Sequence, residues 1–148
     1  MINVFGSKVG QEEIEQIADS INNQWMGMGP KTKAFEAQMA KRLHKDKFVL
    51  VDSGSNGLYM ALTLLELPKG SEVIVPSFTW VSCAQVIMLA GCVPVFCDVD
   101  LESQNVTAET IKPHITKNTS AIMIVHYAGL PVDLDPIIEL GYPVIEDA

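Results

Sequence analysis

The sequence predicts an α/β fold, an open and mostly parallel sheet with helices on both faces. The first observation is a set of short apolar runs: FVLV (48–51), EVIV (72–75), PVFC (94–97), AIMIV (121–125) and PVI (143–145). These runs lack the alternation of polar and apolar residues, which is typical of strands covered on both faces of a parallel sheet. The second observation is their spacing, which leaves room for a crossover helix between one strand and the next.

The apolar pattern predicts helices before and between these strands. Side chains recur at helical spacing in three segments: Ile14, Ile17, Ala18 and Ile21; Phe35, Met39 and Leu43, after Gly29-Pro30; and Leu58, Ala61, Leu62 and Leu65. Further helices are expected around 82–90, 108–115 and 134–140. Strands and helices therefore alternate along most of the chain, and the pattern leaves the order of the strands in the sheet open.

The bulk composition limits the class of protein. The chain has 148 residues, enough for one domain, and 48% of them are hydrophobic, which excludes a disordered acidic tail. The formal charge of −8 disfavours a nucleic-acid partner, because phosphate backbones bind basic surfaces. The longest apolar stretch, 86–96, is shorter than the ~20 residues that a bilayer requires.

The cysteines and histidines point to no special chemistry. Cys83, Cys92 and Cys97 form no CxxC pair and lie on apolar stretches, so we expect buried free thiols and a reducing, cytoplasmic setting. The N-terminal residues do not resemble a signal peptide, and we expect a soluble protein. His44 and His114 have no partners at metal-ligand spacing, so no metal site is expected.

The segment SGSNGL (53–58) follows the first predicted strand and leads into a helix. In open parallel sheets, ligands bind at the carboxyl ends of the strands. Ser55 is predicted to cap the helix, leaving the N–H groups of Asn56 and Gly57 free to bind an anion such as phosphate. The alternative is that this serine is a helix cap and nothing more.

A tryptophan follows the second predicted strand, in PSFTWVS (76–82). The indole of Trp80 offers a flat platform on which a conjugated ring could stack. The alternative is an aromatic side chain packed under a loop.

Two carboxylates follow the last predicted strand, where PVI leads into Glu146 and Asp147. A buried carboxylate needs a cation or a hydrogen-bond donor. One interpretation is an ion pair with an arginine or lysine. The other is a carboxylate that holds a protonated ring nitrogen.

All three groups are expected at the same edge of one sheet. A ligand with a phosphate arm, a flat aromatic ring and a basic ring nitrogen would use each of them. Pyridoxal phosphate (PLP) has these three features, and the sequence therefore predicts a PLP site.

The same residues lie in motifs that resemble the DegT/StrS family of sugar aminotransferases, within the aspartate-aminotransferase (fold type I) group. The resemblance covers nearly the whole chain as the N-terminal part of such an enzyme. It rests on blocks that occur in the family's order: WMGMGPKTKAFE (25–36), SGSNGL (53–58), PSFTWVS (76–82), DVD (98–100), VHYAGLPVD (125–133) and VIEDA (144–148).

The resemblance implies a role for each candidate cofactor residue. Gly54, Ser55 and Asn56 would bind the PLP phosphate. Trp80 would stack on the pyridine ring, and Asp147 would pair with the ring N–H.

The resemblance also implies a reaction. A full-length relative would transfer an amino group from an amino acid donor, commonly glutamate, to a nucleotide-linked keto sugar in polysaccharide, lipopolysaccharide or glycan biosynthesis. It would act as a homodimer. Gly27 and Met28 would line the substrate cleft, although Met28 departs from the small hydroxyl residue that is usual there.

Residues 1–148 would form an incomplete PLP-binding large domain, with the rest of that domain and the small domain absent. The Schiff-base lysine is expected beyond Ala148, so no catalytic residue is assigned in the chain, and we expect the chain alone to be inactive. Three alternatives stay open. They are a sugar dehydratase of the same family, in which a histidine replaces the lysine; a non-catalytic phosphate- or nucleotide-binding module; and a structural or interaction fragment.

Overall fold

A parallel sheet organises the second part of the chain. The computed structural model describes residues 8–148, and in this range the strands are β1 (Glu72–Pro76), β2 (Val93–Cys97), β3 (Thr119–Val125) and β4 (Val144–Asp147). All neighbouring strands run parallel, and their order across the sheet is β2-β1-β3-β4. The predicted α/β class with a parallel sheet is therefore confirmed.

Helices precede the sheet and connect its strands. They are α1 (Gln11–Asn22), α2 (Pro30–Arg42), α3 (Gly54–Leu64), α4 (Ser82–Leu89), α5 (Ala108–Ile111) and α6 (Asp135–Ile138). The chain forms two compact units that divide between Leu50 and Val51, so α1 and α2 belong to the first unit and the sheet to the second. Within residues 8–148, no helix has both the length and the hydropathy that crossing a membrane requires.

The strand register brings the carboxyl ends of the four strands to one edge. Pro76 at the end of β1 pairs with Cys97 at the end of β2. Val125 at the end of β3 likewise pairs with Asp147 at the end of β4. The segments that follow the strands therefore emerge side by side, which is where open parallel sheets bind ligands.

Alternate residues of the central strands pack on opposite faces of the sheet, as the two-residue period of a strand requires. One face buries Val73, Val75 and Met123 against α3 and α4, through Leu58, Leu62, Cys83, Val86 and Ile87. The other face buries Ile74, Ile122 and Ile124 against α5 and α6, through Ala108, Ile111 and Ile137. The predicted helices on both faces are confirmed.

The predicted strand FVLV (48–51) is wrong. These residues have no strand structure, and Val49 and Leu50 are exposed. Within the first unit, the Phe48 ring packs edge-on against Phe35 of α2, with 6.0 Å between ring centroids. The N–H of Leu50 donates to the Glu36 carboxylate at 2.9 Å instead of to a neighbouring strand. An apolar run becomes a strand only where another strand supplies its hydrogen bonds.

Other boundaries differ by a few residues from the predicted ones. The last strand includes Glu146 and Asp147, which were expected to follow it. The helix expected over 108–115 is α5 followed by a short 3₁₀ turn, Lys112–His114. Pro113 explains the change, because it lacks the N–H that an α-helix needs to continue.

The apolar stripe of α1 predicted a helix correctly but not a buried one. Ile14, Ile17 and Ile21 are 59%, 60% and 55% exposed. Within the first unit, α1 is joined to α2 by an ion pair in which the Lys31 ammonium lies 2.8 Å from the Asp19 carboxylate. Helical spacing therefore predicted helix α1, but it did not predict whether the apolar face of this helix is buried.

Replacing Ile122 with alanine should lower the free energy of unfolding of the second unit by about 2–5 kcal/mol, because the change leaves a cavity at the fully buried centre of the sheet. Urea unfolding followed by circular dichroism measures the loss. Leu64→Ala is the matched control, since that side chain is 74% exposed and should change stability little. Equal losses in the two variants would contradict the packing described here.

Candidate functional site

The helix that follows the first predicted strand starts earlier than the sequence suggested. α3 begins at Gly54, and its N-cap is Ser53, which has extended backbone angles (φ −158°, ψ 155°). The Ser53 hydroxyl accepts the N–H of Asn56 at 3.2 Å, and the Ser53 carbonyl accepts the N–H of Gly57 at 3.0 Å. The prediction that Ser55 caps the helix, with these two amides free, is therefore wrong.

The amides available to an anion are those of Gly54 and Ser55. They occupy the first two positions of α3, where a helix cannot satisfy its own N–H groups. Neither donates a hydrogen bond to another described residue. A Cβ built on Gly54 would meet no heavy atom within 4 Å, so the space beside this helix start is open. The structure thus has a helix start with free amides, but it lies two residues closer to the N-terminus than the sequence predicted.

The Ser55 hydroxyl joins the start of α3 to the start of α4. It donates to the Ser82 hydroxyl at 2.8 Å, and the Ser82 side chain is buried. Sequence reasoning did not single out Ser82. The available signal was its position, because a small hydroxyl residue at the first turn of a helix often serves the helix terminus or a ligand.

Cys83, the next residue of α4, contacts Asp147. The Cys83 thiol donates to Asp147 Oδ2 at 3.3 Å, and its sulfur lies 3.2 Å from the Thr79 hydroxyl. Burial raises the pKa of the Cys83 thiol to about 11; the Thr79 hydrogen bond opposes this rise and the Asp147 carboxylate adds to it. Adjacent residues of one helical turn, Ser82 and Cys83, therefore touch the predicted phosphate turn and the predicted carboxylate.

Trp80 and Asp147 line the same cavity, which has a volume of about 310 Å³. The remaining lining residues are Phe78, Thr79, Val125, Tyr127 and Ala128. Trp80 is 76% exposed, so it is not the packed aromatic of the alternative interpretation. The Phe78 and Tyr127 rings pack together with centroids 4.7 Å apart. The cavity is thus bordered by a free indole face and a carboxylate, which suits a flat ring that carries a basic nitrogen.

Asn105 holds the loop that carries Tyr127 and Ala128. Its side-chain oxygen accepts the N–H of Tyr127 at 3.0 Å, and its side-chain nitrogen donates to the carbonyl of Leu130 at 2.9 Å. Ala128 has a left-handed backbone (φ 51°), which costs energy for a residue with a Cβ. The two hydrogen bonds of this buried amide stabilise that conformation.

His126 braces the same loop against β4. Its Nδ1 accepts the N–H of Val132 at 3.0 Å, so the proton of the neutral ring is on Nε2, which lies 3.1 Å from the Glu146 carboxylate. Glu146 therefore pairs with a histidine and not with the lysine or arginine of the alternative interpretation. Both ring nitrogens are engaged, which agrees with a supporting role for His126.

The aspartates of the DVD block form a turn. The Asp100 carboxylate accepts hydrogen bonds from the backbone N–H groups of Glu102 and Ser103 and from the Ser103 hydroxyl. These bonds, chiefly those from Ser103, lower the pKa of Asp100. Nowhere in residues 8–148 do three metal-ligating side chains cluster in a way that could hold a metal ion.

The predicted substrate residues lie in the first unit. Gly27 lines a separate cavity of about 390 Å³, together with Trp25 and Lys31. Met28 is 69% exposed and does not line this cavity. A Cβ on Gly29 would lie 2.0 Å from the Trp25 indole nitrogen, so the indole can rest on this backbone only because residue 29 is glycine.

Comparison with protein families gives a match over nearly the whole chain. The model of the DegT/DnrJ/EryC1/StrS aminotransferase family matches residues 7–148. The chain belongs to this family. The DegT/DnrJ/EryC1/StrS assignment agrees with the motifs on which the sequence resemblance was based.

Solved structures match the fold across the chain. The aminotransferase TlmJ from Streptoalloteichus hindustanus is 37% identical, with a TM-score of 0.90 over 100% of this chain and 42% of its own. DesV from S. venezuelae is 32% identical, with a TM-score of 0.88 over 93% of this chain and 38% of its own. The E. coli GDP-4-keto-6-deoxy-D-mannose-3-dehydratase with bound hydrated PLP is 29% identical, with a TM-score of 0.91 over 100% of this chain and 41% of its own.

These matches bear on fold and cofactor. The chain spans about two-fifths of the length of the structures that it matches. Its sheet and helices have the fold type I arrangement that these enzymes share. Pyridoxal phosphate is the cofactor that the family and its solved structures indicate. The open helix start at Gly54 and the cavity beside Trp80 and Asp147 fit its phosphate, its ring and its ring nitrogen.

Replacing Asn105 with alanine should speed hydrogen exchange of the Tyr127 amide about tenfold or more, because that N–H loses its acceptor. Exchange measured by NMR or mass spectrometry tests this. Asn118→Ala is the matched control, since the Asn118 side chain is exposed and makes no hydrogen bond among the described residues. Unchanged Tyr127 exchange in Asn105→Ala would show that the loop does not depend on this amide.

Proposed function

We propose that this chain is the cofactor-binding part of a PLP-dependent aminotransferase that moves an amino group from an amino acid donor to a nucleotide-linked keto sugar. One observation carries the proposal. The first turn of α4 contacts both the open helix start at Gly54 and Ser55 and the carboxylate of Asp147, beside the exposed indole of Trp80. These are the groups that a phosphate, a ring nitrogen and a flat ring need.

Each residue has a defined task in this proposal. The amides of Gly54 and Ser55 bind the phosphate, helped by the positive end of the α3 dipole. Trp80 stacks on the ring and excludes water from one face of it. Asp147 accepts the ring N–H and so holds a proton on that nitrogen. When bound, PLP supplies the electron sink for amino-group chemistry.

Asn56 needs a changed role. Its backbone N–H donates to the Ser53 hydroxyl, and its side-chain nitrogen donates to Asp52 at 2.7 Å. We therefore assign Asn56 to holding the turn that presents Gly54 and Ser55, and not to direct contact with the phosphate.

The solved relatives support the proposed substrate class. TlmJ is described as an aminotransferase, and the E. coli dehydratase acts, by its name, on a GDP-linked keto sugar. A related dehydratase was solved with a trapped PLP-glutamate, which supports glutamate as the donor here. Gly27 and Met28 remain our proposed substrate residues. We further propose a homodimer that acts in polysaccharide or glycan biosynthesis. Three buried free thiols are consistent with the cytoplasm.

A sugar dehydratase is the second candidate. Dehydratase structures match with TM-scores of 0.90 and 0.91, as high as the aminotransferase TlmJ at 0.90. Sequence identity favours the aminotransferase, because TlmJ shares 37% and the dehydratases 27% and 29%. In the whole protein, we expect the residue that distinguishes them, a lysine or a histidine, after Ala148.

Cofactor binding can be tested on the 148-residue chain. The probe is deoxypyridoxine phosphate, which lacks the aldehyde and so cannot react with surface lysines. In a Trp25→Phe background Trp80 is the remaining tryptophan, and saturating probe should quench its fluorescence. Trp80→Ala should weaken binding about tenfold through loss of stacking, as followed by probe absorbance.

Phe96→Ala is the matched control for Trp80→Ala, because Phe96 is an exposed aromatic outside the lining of the cavity. If saturating probe does not quench Trp80 fluorescence, or if Trp80→Ala and Phe96→Ala bind the probe with equal affinity, the proposed site is wrong. A nucleotide-binding module or a structural fragment would give that result.

The phosphate subsite has its own test. Ser55→Ala should weaken deoxypyridoxine phosphate binding about fivefold, because the start of α3 loses the hydrogen bond to Ser82 that holds its amides in place. Binding of deoxypyridoxine, which lacks the phosphate, should stay unchanged. Calorimetry with the two ligands measures the difference. Ser77→Ala, an exposed serine at the same sheet edge, should affect neither ligand. Equal effects of Ser55→Ala on both ligands would place the phosphate elsewhere.

A further inference from the structure

Cys83 contacts Asp147, whose carboxylate pairs with the ring nitrogen in the proposed function. Its side chain is fully buried, and its thiol contacts Asp147 Oδ2 at 3.3 Å. The other carboxylate oxygen, Oδ1, accepts no hydrogen bond from the described residues. The Asp147 side chain borders the cavity of about 310 Å³, so a ligand there can reach this carboxylate.

We propose that Cys83 is a positioning residue for PLP binding: its thiol fixes the rotation of the Asp147 carboxylate so that Oδ1 can accept the ring N–H. This inference rests on the proposed function. It adds a residue that neither the sequence motifs nor the comparisons assign to the site. Cys83 acts through Asp147 and does not contact the cofactor itself.

The hydrogen-bond chain has one consistent direction. Only the Cys83 thiol can donate to Asp147 Oδ2, because a carboxylate oxygen accepts. The Thr79 hydroxyl must then donate to the Cys83 sulfur. Burial, with the nearby Asp147 carboxylate, raises the pKa of Cys83 to about 11, so the thiol keeps its proton at neutral pH. The chain therefore runs from Thr79 through Cys83 to Asp147.

A thiol suits this position because it is a weak donor. It can hold the orientation of the carboxylate while withdrawing little of its negative charge. That charge then remains available to stabilise the protonated ring nitrogen in the partly buried cavity.

The other two cysteines show that burial alone does not explain this contact. Cys92 packs in the same hydrophobic cluster as Cys83, and no side-chain hydrogen bond joins it to another described residue. Cys97 lies on the opposite face, with its sulfur 3.6 Å from the carbonyl oxygen of Val75. Of these three buried thiols, Cys83 alone contacts a carboxylate. Cys92 is thus a matched control in size, burial and location.

The test compares Cys83→Ala with Cys92→Ala in the 148-residue chain. The first readout is the affinity for deoxypyridoxine phosphate, and the second is the pKa of its isotope-labelled ring nitrogen when bound, measured by NMR. Cys83→Ala should weaken binding about fivefold, the size of one lost hydrogen bond. The ring-nitrogen pKa should fall by about 0.7 as its partner turns away. Cys92→Ala should leave both values unchanged.

Two further variants separate the possible outcomes. Cys83→Ser retains a donor and should restore the ring-nitrogen pKa, whereas a side chain that only fills space would give no such rescue. Asp147→Asn removes the carboxylate and should lower that pKa further than Cys83→Ala does. If Asp147→Asn has no effect on it, the proposed function fails. If Asp147→Asn lowers it but Cys83→Ala matches Cys92→Ala, only the positioning role fails.

A Raman spectrum of the chain without ligand gives an independent readout. The S–H stretching band of Cys83 is isolated by subtracting the spectrum of Cys83→Ala. Hydrogen bonding to Asp147 should shift this band to lower wavenumber, and Asp147→Asn should move it part of the way back, because an amide oxygen is a weaker acceptor than a carboxylate. A band that does not respond to Asp147→Asn would overturn the proposed contact, whatever the affinities.

Discussion

The parallel pairing of β1 with β3 is the constraint on which the site depends. These two strands lie at the centre of the sheet, and each pairs with one outer strand on its other side. Because the pairing is parallel, the chain leaves β1, β3 and β4 at the same edge, which carries Trp80, Tyr127 and Asp147. An antiparallel partner would have placed one of these groups at the opposite edge.

The first turn of α4 joins the start of α3 to Asp147. Ser82 and Cys83 are polar residues on a helix that otherwise buries aliphatic side chains against the sheet. Buried polar groups are costly without partners, and both have one here, in Ser55 and Asp147. In residues 8–148, no buried side-chain nitrogen or oxygen atom is left without a hydrogen bond. The two polar residues of α4 at the site therefore belong to the hydrogen-bonded interior, whereas Trp80 is exposed.

Much of this architecture was predictable because it depends on local pattern. Unbroken apolar runs predicted strands β1 to β4, and helical spacing predicted α1 to α3. The strand prediction at 48–51 was wrong because a strand needs hydrogen bonds from another part of the chain. Here the N–H of Leu50 donates to the Glu36 side chain instead. The error at Ser55 has a similar origin. Both Ser53 and Ser55 can cap a helix, and backbone geometry decides between them.

The positioning contact was beyond sequence reasoning for a different reason. Cys83 and Asp147 are separated by 64 positions in the chain, and nothing local to either residue indicates the other. A cysteine on an apolar stretch is typical of a small core residue, which fits Cys92 and Cys97 well. The role of Asn105 was hidden in the same way, because it supports the site through the backbone of a loop.

The order of the strands along the chain has a consequence for biosynthesis. The residues of the candidate site are synthesised at different times. The helix start at Gly54 comes first, then Trp80, and then Asp147 on β4. β1 must also wait for β3 before its second edge is paired, and such distant pairings form slowly. A nascent chain therefore contains the helix start at Gly54 long before Asp147 can border the cavity beside Trp80. Under the proposed function, the ring of the cofactor can be bound only once β4 has joined the sheet.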